Sequence, residues 1–202
     1  MSSRFPIPVV GLTGGIASGK SLVAKILREK CNIPVLDADQ IARDLSDKEG
    51  KAAPAILKAF GTLDRARLRK KIFSDPNART ELEAILHPLI REESFKEICD
   101  LSRAGASVVF YEASLLVETG RYRDFDALLV VDSSLEERIS RVLSRDGITR
   151  DQALAITRAQ CTDEQRRLAA TWVLENAGSP AELEHAVLEL LPQITEYLGR
   201  RG

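Results

Sequence analysis

The sequence predicts an α/β protein built on a doubly wound, five-stranded parallel sheet, and three observations predict it. Short apolar runs recur along the chain and alternate with segments whose apolar residues fall three or four apart. The runs are apolar at nearly every position, as expected of parallel strands covered by helices on both faces. The first run leads straight into a glycine-rich turn and then a helix, the usual opening of such a fold.

Ile7–Leu12, β-branched at Val9 and Val10, reads as the first strand. The turn Gly14–Gly19 follows, then a helix over Ser21–Lys30 with Leu22, Val23, Ile26 and Leu27 on one face. Ile33–Leu36 is a second strand ending at Asp37-Ala38-Asp39. Up to about Leu101 the pattern is helical, over Ile41–Leu45, Ala53–Phe60, Arg67–Phe73 and Arg79–Leu86. The sequence Phe73-Ser74-Asp75-Pro76 predicts a helix stop and a new N-cap, and Pro88 a bend or restart. Strands three and four are Ser107–Tyr111 and Ala127–Val131. A helix over Leu135–Leu143, a polar connection over Ser144–Arg150 and one or two helices over Asp151–Leu168 come next. Trp172–Leu174 is the fifth strand and Ala181–Leu198 a closing helix.

The chain's 202 residues suit one domain, or one core with an inserted subdomain. Lys plus Arg number 29 against 30 Asp plus Glu, so no basic excess points to nucleic acid as a partner. Three separated cysteines and two histidines offer neither a disulfide framework nor a histidine-rich metal centre. No apolar run approaches the roughly 20 residues of a membrane span, and the first residues lack the pattern of a cleaved leader. The expectation is a cytoplasmic protein acting on small molecules, with no membrane association and no obligatory protein partner.

Gly14-Gly15-Ile16-Ala17-Ser18-Gly19-Lys20-Ser21 matches G-x-x-x-x-G-K-[ST] between a strand and a helix, the context the motif requires. Its glycines let successive backbone N–H groups converge on phosphate oxygens at a helix N-terminus, with Leu22 in the first turn beyond. Lys20 reaches the β- and γ-phosphates, and the Ser21 hydroxyl is one ligand of a Mg²⁺ otherwise held by phosphates and water. Switch GTPases, motors and small-molecule kinases share this loop. Asp37 and Asp39 stand where an open α/β sheet keeps its ligand crevice, so either carboxylate can take a proton from an acceptor hydroxyl. Asp39 also suits the N-cap of the Ile41–Leu45 helix. Arg141 and Arg145, at helical spacing before Asp146-Gly147, suit a lid closing over the transferred group. The chain is too short for a motor and lacks an N-K-x-D guanine motif, which favours an adenine nucleotide. Taken alone, His87 and Trp172 read as packing residues, and Glu112 and Glu118 as solvated charges.

Further matches extend past the loop: Gly11–Ser21, Leu36–Arg43, Leu63–Leu68 with Ile72-Phe73, and His87–Ile90. They continue through Leu115–Glu118, Arg145-Asp146 before Gln160, and Asn176–Gly178. In this order and spacing the chain resembles the dephospho-CoA kinase family of P-loop NTPases over almost its whole length. The resemblance implies transfer of the ATP γ-phosphoryl group to the ribose 3′-hydroxyl of dephospho-CoA, the last step of coenzyme A synthesis. It implies Asp39 as general base, with Lys20 and Arg145 as charge stabilisers and Mg²⁺ as the cation. Asn176 and Gly178 would line the adenine pocket; Thr13, Asp37, Arg43, His87, Leu116 and Glu118 would border the acceptor. The implied architecture is a three-layer P-loop kinase fold. Its core spans residues 1–40, 104–143 and 169–202, its helical acceptor-binding part about 41–103 and its lid about 144–168. Departures from the family pattern are a short Phe60–Arg65 stretch, Glu112-Ala-Ser114 for Asp-x-Pro, Ile156 for a frequent arginine, and Thr171 for an aspartate.

Overall fold

The computed structural model describes residues 4–200. Its sheet runs β2-β3-β1-β4-β5, built from β1 (Val9–Gly14), β2 (Val35–Asp37), β3 (Val109–Glu112), β4 (Ala127–Asp132) and β5 (Trp172–Glu175). β1 is parallel to both β3 and β4, and β4 to β5. Every residue of β1, β3 and β4 is buried, which is why these strands are apolar without alternation.

The principal core packs the sheet against α1 (Lys20–Glu29) and α9 (Pro180–Gly199). Val10, Leu12, Val23, Leu27, Leu129, Val131, Leu183 and Val187 meet there, each at most 2% exposed. Each such side chain contributes roughly 1.5–3 kcal/mol by leaving water. Trp172 lies edge-on to Tyr197 with ring centroids 5.0 Å apart, so it is a packing residue as expected. A smaller cluster, Ile139, Val142 and Ala153, joins α6 (Leu135–Asp146) to α7 (Arg150–Arg158), and Ile16 and Ala17 of the glycine loop pack against it.

Residues 37–100 cluster as a separate compact unit, and the strands with the remaining helices as another. The separate unit carries α2 (Ala38–Leu45), α3 (Ala53–Phe60), α4 (Arg65–Ser74) and most of α5 (Pro76–Arg103).

Several boundaries differ from the sequence expectation. Strand β1 begins and ends two residues later than Ile7–Leu12, because its pairing partners begin at Val109 and Ala127. Asp37, rather than Asp39, caps α2: its carboxylate accepts the Gln40 N–H at 2.9 Å, and Asp39 lies in the first turn. Of the bend or restart expected at Pro88, the restart does not occur, since α5 runs unbroken for 28 residues. A proline removes one ladder hydrogen bond, and a helix this long retains enough others to continue. The stop before it is real: Asp75 accepts the Asn77 N–H at 2.9 Å as α5 begins. Asp151–Leu168 resolves into α7 and α8 (Asp163–Ala169), each opened by a threonine capping box, Thr149 with Gln152 and Thr162 with Gln165.

Candidate active site

The glycine loop closes a turn from the end of β1 to the start of α1. Ser18 N–H donates to the Gly15 carbonyl at 3.0 Å, and Gly19 takes φ 100°, a left-handed conformation favouring glycine. A side chain at Gly19 would also run into Asn176, whose Nδ2 stands 2.1 Å from where a Cβ would be. No side chain caps α1, so its first N–H groups and its positive dipole end are free to face an anion.

Lys20 and Ser21 meet one buried carboxylate. Glu112 ends β3 and is 2% exposed; its Oε1 accepts from Lys20 Nζ at 2.6 Å and from Ser21 Oγ at 3.0 Å. The register that pairs Leu12 with Glu112 sets this carboxylate beside the strand feeding the loop. A buried charge needs a partner, and the Lys20 ammonium supplies it. Glu112 is thus no solvated charge, contrary to the reading of its residue type alone.

The rest of the loop is held from outside. Arg141 Nη1 donates to the Ala17 carbonyl at 3.2 Å and to Ser133 Oγ at 3.1 Å, while its Nη2 donates to the Asn176 carbonyl at 3.1 Å. Asn176 is buried and donates from Nδ2 to the Ser18 carbonyl at 2.7 Å. Gln160 Oε1 accepts the Ile16 N–H at 2.9 Å.

Arg145 lies on the last turn of α6, where it is exposed and forks onto Asp146 at 2.7 and 2.8 Å. That hydrogen bond raises its pKa, so it stays a cation throughout the working pH range. Glu118 Oε1 accepts the Cys161 N–H at 3.0 Å and faces Arg166 at 3.7 Å, so it too is engaged. Burial, helped by Glu118, pushes the Cys161 thiol up to about 11 and leaves it unreactive at neutral pH. Thr13 and Leu116 are buried, Leu22 is half-buried, and Gly178 is exposed just before Ser179, the N-cap of α9. Thr171, the departure from aspartate, ties β5 to β4: its Oγ1 accepts the Leu128 N–H at 3.0 Å.

In the unit of residues 37–100, Asp39 is exposed on α2 and His87 half-buried on α5. Arg43 is exposed; its guanidinium holds Gln40 Oε1 at 2.8 and 3.0 Å and stands 3.5 Å from Asp37.

For a cation, the hydroxyl of Ser21 and the carboxylate of Glu112 offer two hard oxygens on one spot. No group of three or more His, Cys, Asp or Glu side chains able to hold a metal occurs among the described residues. The pair therefore fits Mg²⁺ carried in with phosphates and water, which needs few protein ligands, and does not form an all-protein cage. Sequence reasoning missed Glu112 and Arg138, and read Arg141 as a lid arginine where it holds the loop backbone. The one signal available for Glu112 was its place as the charged end of an otherwise apolar strand.

The family model described as dephospho-CoA kinase matches residues 8–182. A dephospho-CoA kinase of Thermus thermophilus is 42% identical over 196 residues, covering 96% of this chain and 94% of the relative. A crystal structure from Thermus thermophilus shares 42% identity and covers 94% of this chain and 98% of its own, with TM-score 0.79. A dephospho-CoA kinase structure from Campylobacter jejuni is similar in fold, with TM-score 0.68 at 23% identity over 93% of this chain and 97% of its own.

Proposed function

The chain belongs to the dephospho-CoA kinase family and is an ATP-dependent kinase completing coenzyme A synthesis, and from that premise we propose how its residues divide the work. The enzyme transfers the ATP γ-phosphoryl group to the ribose 3′-hydroxyl of dephospho-CoA. Among the described residues no helix is long and apolar enough to cross a membrane, and we place the enzyme in the cytoplasm with these two small molecules as its ligands.

In our reading, residues Gly14–Leu22 and the α1 N-terminus hold the triphosphate, and Asn176 and Gly178 border the adenine. Lys20 exchanges its hold on Glu112 for the β- and γ-phosphates and neutralises charge as the phosphoryl group leaves. Ser21 and Glu112 would hold Mg²⁺. When bound, Mg²⁺ supplies positive charge to the phosphoryl oxygens. Asp39 takes the proton of the attacking hydroxyl, while Thr13, Asp37, Arg43, His87, Leu116 and Glu118 border the acceptor. Arg145, already charged, exchanges Asp146 for the transferring group as residues 144–168 close and exclude water as a rival acceptor. Residues 41–103 supply the acceptor part.

The observation that carries this reading is the pairing of Lys20 and Ser21 on one buried carboxylate oxygen at the loop's exit. It gathers the ammonium, the hydroxyl and a second hard oxygen where a helix N-terminus already favours phosphate. The test is Asp39→Asn beside Asp37→Asn, assayed with dephospho-CoA and with AMP, CMP and adenosine as rival acceptors. Asp39→Asn is expected to cut turnover by roughly 10²–10⁴-fold while leaving ATP binding intact. Full turnover in Asp39→Asn with a collapse in Asp37→Asn would transfer the base role to Asp37.

A further inference from the structure

Behind the phosphate loop stands Arg138, a side chain that neither the motif nor the transfer chemistry calls for. It is 2% exposed, on the first turn of α6. Nε donates to the Ser133 carbonyl at 3.1 Å, and Nη2 to Asp163 Oδ2 at 2.6 Å. Nη1 is buried without a hydrogen-bond partner. It is turned toward the loop: a methyl added at Gly15 would come within 2.2 Å of it. Asp163, the first residue of α8, also receives Arg166 Nη1 at 2.7 Å, so the carboxylate that holds Arg138 is itself held. The next loop residue, Ile16, is gripped through its N–H by Gln160.

The Arg138 brace beside Gly15 and the Gln160 grip on Ile16 therefore trace back to residues 160–163, from the α7–α8 connection to the first residue of α8. Arg141 and Asn176 hold the other half of the loop, Ala17 and Ser18. A buried guanidinium leaves an N–H unpaired only where the surroundings dictate its position, and here Asp163 and Ser133 dictate it. Glycine at position 15 has no Cβ, and Arg138 Nη1 fills the space that one would take.

We infer that Arg138, anchored by Asp163, is a positioning residue for ATP: it braces the Gly15–Ile16 peptide on the path that turns the loop amides toward phosphate. This rests on the reading of Gly14–Ser21 as the ATP cradle. Arg138 touches no reacting atom, so its effect falls on ATP binding and leaves dephospho-CoA binding alone.

The test uses the full-length enzyme and reads KM for ATP, KM for dephospho-CoA, kcat and Tm. Arg138→Gln is expected to raise KM for ATP about tenfold, with KM for dephospho-CoA changed less than about twofold. Arg138→Lys restores part of the loss. A mutant cycle separates positioning from general stability. Gly15→Ala alone collides with Nη1; in the Arg138→Gln background the methyl has room, so its effect on KM for ATP shrinks by about fivefold or more. Additive effects in that cycle overturn the inference. If Arg138→Gln does not fold, Asp163→Asn decides, since that half-exposed side chain keeps its shape. It is expected to raise KM for ATP several-fold with KM for dephospho-CoA nearly constant, at a lowered Tm because two buried guanidiniums lose a charged partner. An unchanged KM for ATP overturns the inference. Lys20→Ala, measured alongside, tests the cradle itself: ATP binding that survives it defeats the cradle reading, whereas lost binding there with unchanged Arg138 and Asp163 variants defeats this inference alone.

Discussion

The phosphate loop and the helical unit of residues 37–100 both carry charged side chains given roles in the reaction, yet their surroundings are opposite. Around the loop the charges are buried and interlocked: Lys20 is 12% exposed and Glu112 2%. In the helical unit Asp37 and Arg43 are 34% and 45% exposed and bonded mainly to near neighbours in sequence. Buried, mutually held groups are preorganised and lose little entropy when a ligand arrives. Exposed ones must be ordered by the ligand itself. In the proposed reading, the nucleotide half is therefore built in advance, and the acceptor half is organised when dephospho-CoA arrives.

That contrast breaks most visibly at Lys20. Lys20→Ala is expected to lower turnover by about a thousandfold or more, since one charge-stabilising donor is already worth 10²–10³. It also leaves the Glu112 carboxylate buried and unpaired, so chemical denaturation should report a loss of about 3–5 kcal/mol. An unaltered denaturation midpoint would mean the ion pair does not hold the loop. Glu112→Gln keeps the shape and removes the charge. The Mg²⁺ concentration giving half-maximal rate should rise about 10–100-fold, the usual range for a disturbed metal environment.

Arg145→Ala sharpens the comparison from the exposed side. If Arg145 reaches the phosphoryl group only on lid closure, as proposed, the effect should fall on kcat, about tenfold, with KM for ATP nearly constant. An equal change in KM would place it in ground-state binding instead. The smallest effect belongs to Asp37→Ala, which removes the cap of α2. Thermal melts should show a loss of about 1 kcal/mol, largely recovered by Asp37→Ser.

Much of this was legible along the chain. The strands announced themselves because parallel strands buried on both faces must be apolar throughout, and the loop because G-x-x-x-x-G-K-[ST] states its own chemistry. The cap of α2 was misplaced by two residues, since Asp37 and Asp39 are equally good capping types and only backbone geometry chooses between them. Pro88 suggested a bend or restart, and the restart fails because local rules cannot weigh one lost hydrogen bond against a 28-residue helix. Arg138 carried no signal at all. An arginine on a helix is usually solvated, and only the approach of Asp163, 25 residues away, makes it buried and paired.

The order of residues by itself determined the alternation of strands and helices, the phosphate loop and the family, since each is written in local pattern or in a linear motif. Tertiary structure alone decided which carboxylate meets Lys20 and Ser21, and which arginines hold the loop. Those partners lie 91 to 158 residues apart for Ser21–Glu112 and Ser18–Asn176. A contact across such a distance exists only once the sheet has set its register and buried the groups that must find each other.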